Sequence, residues 1–100
     1  MRVLFVTSEC ETLFKRGGLA DVSYSLPIAL SKQGVHVSVV MPYYQAIKIA
    51  HVTCVGQLSV EYDRRRELVF VFTALLSNSN VPVYLLRHPR LVDYSGSDIA

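Results

Sequence analysis

The chain has 100 residues, of which 51% are hydrophobic and 18% charged, a balance that belongs to a globular domain and excludes a disordered tract. Ten basic against eight acidic side chains leave a formal charge of +2, too little for the footprint of a nucleic-acid binder. The longest nearly apolar run, Leu68 to Leu76, holds nine residues, against the roughly twenty of a membrane-spanning helix, and Cys10 and Cys54 are too few for a disulfide scaffold.

Arg2 is followed by only four apolar residues before Thr7, Ser8 and Glu9, which is no export signal. No CxxC or His-rich spacing suggests a metal site. These features predict one domain over residues 1–100, in the reducing cytoplasm, with no metal, no membrane contact and no nucleic-acid partner.

Val3-Leu4-Phe5-Val6 is a continuous apolar run of strand length. Apolar on both faces, it reads as a central strand covered on two sides. From Gly18 the period changes, and Leu19, Val22, Leu26, Ala29 and Leu30 fall on one helical face. Pro27 cannot donate to the Ser23 carbonyl, so the helix is expected to kink there or to restart with Pro27 in a first turn. Gly34 stops it. Val35, Val37 and Val39 alternate with polar residues as a strand that runs to about Met41, completing a βαβ unit.

Three β-rich runs follow, around Val52–Tyr62, Glu67–Leu76 and Val81–Leu86. The short polar separators Asp63–Arg66 and Ser77–Asn80 predict hairpin-like connections. Leu58, Val60 and Tyr62 against Ser59 and Glu61 suggest a half-exposed strand. The expected architecture is α/β, a βαβ start followed by antiparallel β-rich strands, like an incomplete Rossmann domain. An apolar sheet face and a strand edge would then stay open, so the isolated chain is expected to self-associate, with Leu68–Phe72 its most adhesive segment.

The stretch from Ser8 to Val22 lies after the first strand and runs into the first helix, where open α/β sheets bind ligands. Gly17 and Gly18 let backbone N–H groups approach an anion, the helix dipole adds partial positive charge, and Lys15 adds a full charge nearby. The pattern fits a phosphate or diphosphate cradle, and equally a plain loop with a glycine pair at the helix start. It is neither a Walker loop nor a GxGxxG fingerprint.

Lys15-Arg16-Gly17-Gly18-Leu19-Ala20-Asp21-Val22 resembles the K-x-G-G-L-A-D-V element near the start of bacterial glycogen synthases and plant starch synthases. The likeness extends through Val6-Thr7-Ser8-Glu9, Leu26-Pro27, Gly34, Pro42 with Tyr44, and Val81-Pro82-Val83-Tyr84 with Pro89 and Asp93. Thr12, Arg16, Ser23-Tyr24-Ser25 and Val35-His36 depart from the family's usual residues, which touches loop conformation and helix packing more than ligand chemistry.

The resemblance implies the N-terminal part of a retaining, two-Rossmann-domain (GT-B) glucosyltransferase. Such enzymes move glucose from ADP-glucose to the non-reducing end of an α-1,4-glucan without a cofactor. By position, Lys15 would contact the donor phosphates, Gly17 and Gly18 would bring backbone donors to the diphosphate, and Asp21 and Glu9 would be catalytic-site residues near the sugar or acceptor. The family is several times longer, so this segment is expected to be inactive alone. Two other readings are a stand-alone α/β module binding a phosphorylated ligand without catalysis, and a related transferase with a different sugar donor.

Other residues carry blander expectations. Cys10 reads as a small packing residue, the single histidines as strand or surface residues, and Arg64-Arg65-Arg66 as a solvated turn. Tyr43-Tyr44 either stacks on sugar or caps a strand end.

Overall fold

A computed structural model describes residues 1–10, 13, 19–44, 47, 49 and 51–88. Within them the chain runs β1 (Arg2–Val6), α1 (Leu19–Lys32), β2 (His36–Pro42), β3 (Thr53–Tyr62), β4 (Arg65–Leu75) and β5 (Pro82–Arg87). The five strands form one sheet in the order β1-β2-β5-β4-β3. The β1–β2 and β2–β5 pairs are parallel, and β4 is antiparallel to both β5 and β3. The carboxyl ends of β1, β2 and β5 therefore share one edge of the sheet, to which the expected ligand-binding stretch belongs.

Local chemistry explains the element ends. Gly34 adopts φ +88°, and its N–H donates to the Ser31 carbonyl while the Val35 N–H reaches back to Leu30 at 3.1 Å. That pair of bonds satisfies the last carbonyls of α1 as a Schellman cap. Asp63 and Arg64 both take positive φ, as a two-residue type I′ hairpin turn requires. The turn is thus shorter than the polar separator suggests, and Arg65 and Arg66 pair with Tyr62 and Glu61 as the first residues of β4.

One face of the sheet carries the core. Val39 and Met41 of β2 lie beside Val83 and Leu85 of β5, and Cys10, Tyr43, Tyr44, Ile47, Leu76 and Val81 complete the cluster. Tyr24 and Ile28 of α1 pack against this cluster. The opposite face is uncovered among the described residues. Register puts Leu4 and Val6 of β1 on it, and they are 63% and 72% exposed. The expectation of a central first strand buried on both faces is therefore corrected: β1 is an edge strand with one covered face. The same cause corrects β3, which is exposed from Thr53 through Glu61 because it is the other edge and no layer among the described residues covers it.

The rotation of α1 also differs from its periodicity. Leu19, Val22 and Leu26 are exposed, and the helix meets the sheet through Ala20, Ser23 and Pro27. Small side chains let a helix approach closely, and polar contacts to the preceding loop fix which stripe faces inward. Nor does the helix restart at Pro27, since α1 is continuous from Leu19 to Lys32. The Ser23 carbonyl, deprived of its intrahelical donor by the proline, instead accepts the Cys10 thiol at 3.6 Å.

Candidate functional site

At the carboxyl end of β1 the chain is tied to the first two turns of α1 by side chains. The Thr7 hydroxyl donates to the Glu9 carbonyl at 2.8 Å and lies 2.8 Å from the Ser23 hydroxyl. Thr7 is 8% exposed and Ser23 fully buried, so the pair satisfies two hydroxyls that burial would otherwise penalise. Cys10 is buried beneath them. It serves as the packing residue its composition suggests, with its thiol spent on the carbonyl that Pro27 leaves open.

Glu9 reaches the helix itself. Its Oε1 accepts the Ala20 N–H at 3.0 Å, which is one of the first-turn donors that no helix can satisfy internally. The carboxylate also sits at the positive end of the helix dipole. Glu9 thus ties the chain just past β1 to the first turn of α1, whatever chemistry it also serves. Asp21 lies exposed in the first turn of the same helix. Lys15, Gly17 and Gly18 lie outside the described residues, as do Pro89 and Asp93.

Glu9→Ala is expected to lower stability by about 0.5–2 kcal/mol, the usual loss when a capping acceptor is removed. Glu9→Gln, which keeps an acceptor oxygen, is expected to restore most of it. Urea denaturation of the three proteins checks this, and equal midpoints would show that the Ala20 bond contributes nothing.

The neighbouring strand ends complete the edge. Tyr43 and Tyr44, just past β2, are buried at 8% and 4% exposure, so in this chain they pack in the core, which favours the capping alternative. The Tyr43 ring meets Phe72 edge-on with centroids 5.2 Å apart. Arg87, the last residue of β5, places its guanidinium carbon 4.1 Å from the Tyr43 centroid and 5.5 Å from that of Phe72. His88 follows, with Nε2 2.6 Å from Glu67 Oε1 of β4.

Sequence reasoning missed Thr7, Ser23 and Arg87. The departure at Ser23, four residues before Pro27, was a usable signal for a buried hydroxyl on the helix. Arg87 gives none, because its aromatic partners are remote in sequence. The arginine triplet at residues 64–66 is solvated as expected, but only Arg64 lies in the turn: Arg65 and Arg66 open β4, and Arg66 Nη1 donates to Ser59 Oγ at 3.2 Å.

Among the described residues no three His, Cys, Asp or Glu side chains converge on a common point, and no helix is long and apolar enough to cross a membrane. Open depressions line the amino end of the sheet, one beside Arg2, Leu4 and His36 and another beside Thr53, Leu75 and Ser77. Both lie at the opposite end from the β1–α1 connection.

The family model of the starch synthase catalytic domain matches residues 2–98. The glycogen synthase of Kosmotoga olearia is 36% identical over 105 aligned residues, covering 100% of this chain and 22% of that protein. The glycogen synthase of Photobacterium profundum is 43% identical over 95 residues, covering 93% and 18%. The chain therefore spans about a fifth of the length of these relatives. In structure it is similar to the catalytic domain of Starch Synthase IV from Arabidopsis thaliana, solved with ADP and acarbose. That match has a TM-score of 0.84 at 18% identity, over 97% of this chain and 21% of the other. It establishes the fold as that of the Rossmann-like N-terminal part of a GT-B starch synthase. With the βαβ start, the antiparallel strands beside it and a family match that runs almost end to end, the chain belongs to the starch synthase catalytic domain family.

Proposed function

We propose that the chain is the N-terminal part of a cytoplasmic glucosyltransferase that moves glucose from ADP-glucose to the 4-hydroxyl at the non-reducing end of an α-1,4-glucan. The family match over residues 2–98 carries this reading. In such a transfer the bond from the anomeric carbon to the diphosphate oxygen breaks, a bond to the acceptor oxygen forms, and the acceptor hydroxyl loses its proton. The leaving group gains negative charge, so cations and N–H dipoles held in place beforehand favour the transition state over the ground state.

Lys15 is the residue assigned to the donor phosphates, with Gly17 and Gly18 supplying backbone donors at the start of α1. Asp21 and Glu9 are assigned to the sugar or acceptor side. The bonds from Glu9 to Ala20 and from Thr7 to Ser23 support this reading because they fix Glu9 and the end of β1 against the first turns of α1. Preorganisation of that kind is what electrostatic stabilisation requires.

The 100-residue chain by itself is proposed to be inactive and self-associating. Transfer needs donor and acceptor held together in reacting geometry, and Leu4, Val6, Leu58, Val60 and Leu75 stand exposed in this chain. The expected result is no labelled glucose incorporated into glycogen above a no-protein blank, together with sedimentation faster than a monomer. A chimera in which the chain replaces the matching segment of the Photobacterium profundum glycogen synthase is expected to be active. Turnover by the isolated chain, or a folded but inactive chimera, would overturn the reading.

A further inference from the structure

An edge strand leaves a row of backbone N–H and C=O groups without strand partners, and monomeric proteins blunt such edges with bulges, prolines, lysines or inward-pointing charges. β3 ends the sheet, with β4 on one side and no strand among the described residues on the other. Every residue from Thr53 to Glu61 is exposed. The register shifts between Cys54 and Gly56, so Val55 is the extra residue of a bulge, and the bulge interrupts the edge at the root of the hairpin. Beyond it, Gly56 to Tyr62 pairs residue for residue with β4. That stretch is left unprotected: it holds no proline and no lysine, and Glu61 is its one charged residue.

The regular stretch is centred on Ser59, and its pattern is self-complementary about that residue. In a second copy running antiparallel, related by a two-fold axis through Ser59, Leu58 faces Val60 of the other copy and Val60 faces its Leu58. On the opposite face Ser59 meets Ser59, and Gln57 meets Glu61. Leu58 and Val60 are 54% and 43% exposed in the single chain, and apolar cross-strand pairs are what stabilise a ladder. Glu61 already has Arg66 as its neighbour on β4. The tip residues Asp63 and Arg64 fall beside the uncharged Val55 and Cys54 of the second copy. A parallel arrangement would instead bring the two arginine triplets together, and like charges set opposite one another oppose pairing. Contact between β3 and the other edge, β1, joins unlike surfaces and repeats without closing.

We propose that the Gly56–Tyr62 edge of β3 is a dimerisation surface whose partner is a second copy of this chain, added as an antiparallel strand with the two-fold axis at Ser59. The sheet then continues through both copies, and the backbone groups of the unprotected edge gain partners. This deepens the self-association given under the proposed function and rests on it. The glucosyltransferase reading plays no part in it.

The test uses Ser59→Lys and Ser59→Glu, at an exposed position whose replacement leaves the core untouched. Sedimentation velocity follows the wild-type chain and both variants from low to high micromolar concentration. The wild type is expected to dimerise. Each variant is expected to raise the dimer dissociation constant about fivefold or more, whatever the sign of the new charge, because the charge meets its own copy on the axis. An equimolar mixture of the two variants is expected to dimerise at least as tightly as the wild type, since the mixed pair sets opposite charges there. Two variants weakened only in their own folding would not rescue one another.

If the charged variants do not fold, Ser59→Cys decides, compared with Gln57→Cys, both in a Cys54→Ser chain oxidised with diamide. Ser59→Cys is expected to form a covalent dimer. Gln57→Cys is expected to stay uncoupled, because its thiols would lie too far apart along the ladder for a disulfide. Equal cross-linking at the two positions would overturn the proposal. So would a mixture of the charged variants that associates no better than either alone. Association of the same strength in wild type and both charged variants would place the adhesion elsewhere on the chain, overturning the β3 dimer and leaving self-association standing. A wild type that stays monomeric throughout would overturn both.

Discussion

Lys15→Ala, introduced into the chimera with the Photobacterium profundum glycogen synthase, is expected to lower kcat/KM for ADP-glucose by roughly ten- to a hundredfold. That range corresponds to the loss of a charge-assisted contact to phosphate, about 1.5–3 kcal/mol. The melting temperature should hold, because a lysine beside a glycine pair contributes little to a core and surface substitutions usually fall within about 0.5 kcal/mol. Single-turnover kinetics would locate the effect: a residue that meets the charge developing on the diphosphate lowers the chemical step, and one that only binds donor raises KM. Unchanged kinetics in a folded Lys15→Ala chimera would remove Lys15 from the site.

The largest effect on stability is expected at Leu85. It is fully buried, where β5 sits between β2 and β4, and its neighbours across the strands are Met41 and Phe72. Leu85→Ala removes its transfer energy and leaves a cavity in a region pinned from both sides, which together cost about 2–5 kcal/mol. Domains of this size have only about 5–15 kcal/mol in total, and a sheet with one face uncovered among the described residues belongs at the low end. Most of the Leu85→Ala chain is therefore expected to be unfolded in moderate urea that leaves the wild type folded. Leu75→Ala, at a position 59% exposed on β4, should change stability by no more than about 0.5 kcal/mol. Far-UV circular dichroism across a urea series compares the two. Similar midpoints would mean that the described core does not hold the chain together.

How much of this was legible beforehand depended on the distance over which each feature is encoded. The alternation of Val35, Val37 and Val39, the helical spacing after Gly18 and the glycine at 34 act within a turn or a pleat. They marked the βαβ start and the end of α1 correctly. The two polar separators marked both antiparallel connections, although a two-residue turn left Arg65 and Arg66 in β4. The Lys-x-Gly-Gly-Leu-Ala-Asp-Val element was enough to indicate the family, and the match over residues 2–98 bears that out.

Burial was read less well, and the reason is geometric. An apolar run such as Val3–Val6 states that a strand tolerates two covered faces, while the layers actually present decide whether it has them. With β1 at an edge and α1 on one side, Leu4 and Val6 are left open. The stripe of Leu19, Val22 and Leu26 is likewise the more apolar one. The helix nevertheless turns Ala20, Ser23 and Pro27 inward, because Thr7 and Cys10 bond to Ser23 and Glu9 bonds to Ala20.

The sequence by itself thus determined the elements, their order, the turn chemistry and the family, since each follows from residues that are neighbours along the chain. The tertiary structure decided which faces are covered, how α1 is rotated, that Glu9 caps that helix, and that Arg87 rests on Tyr43 and Phe72 with Nε unpartnered. Those outcomes join residues far apart in sequence, and only the closure of the sheet brings them within reach of one another.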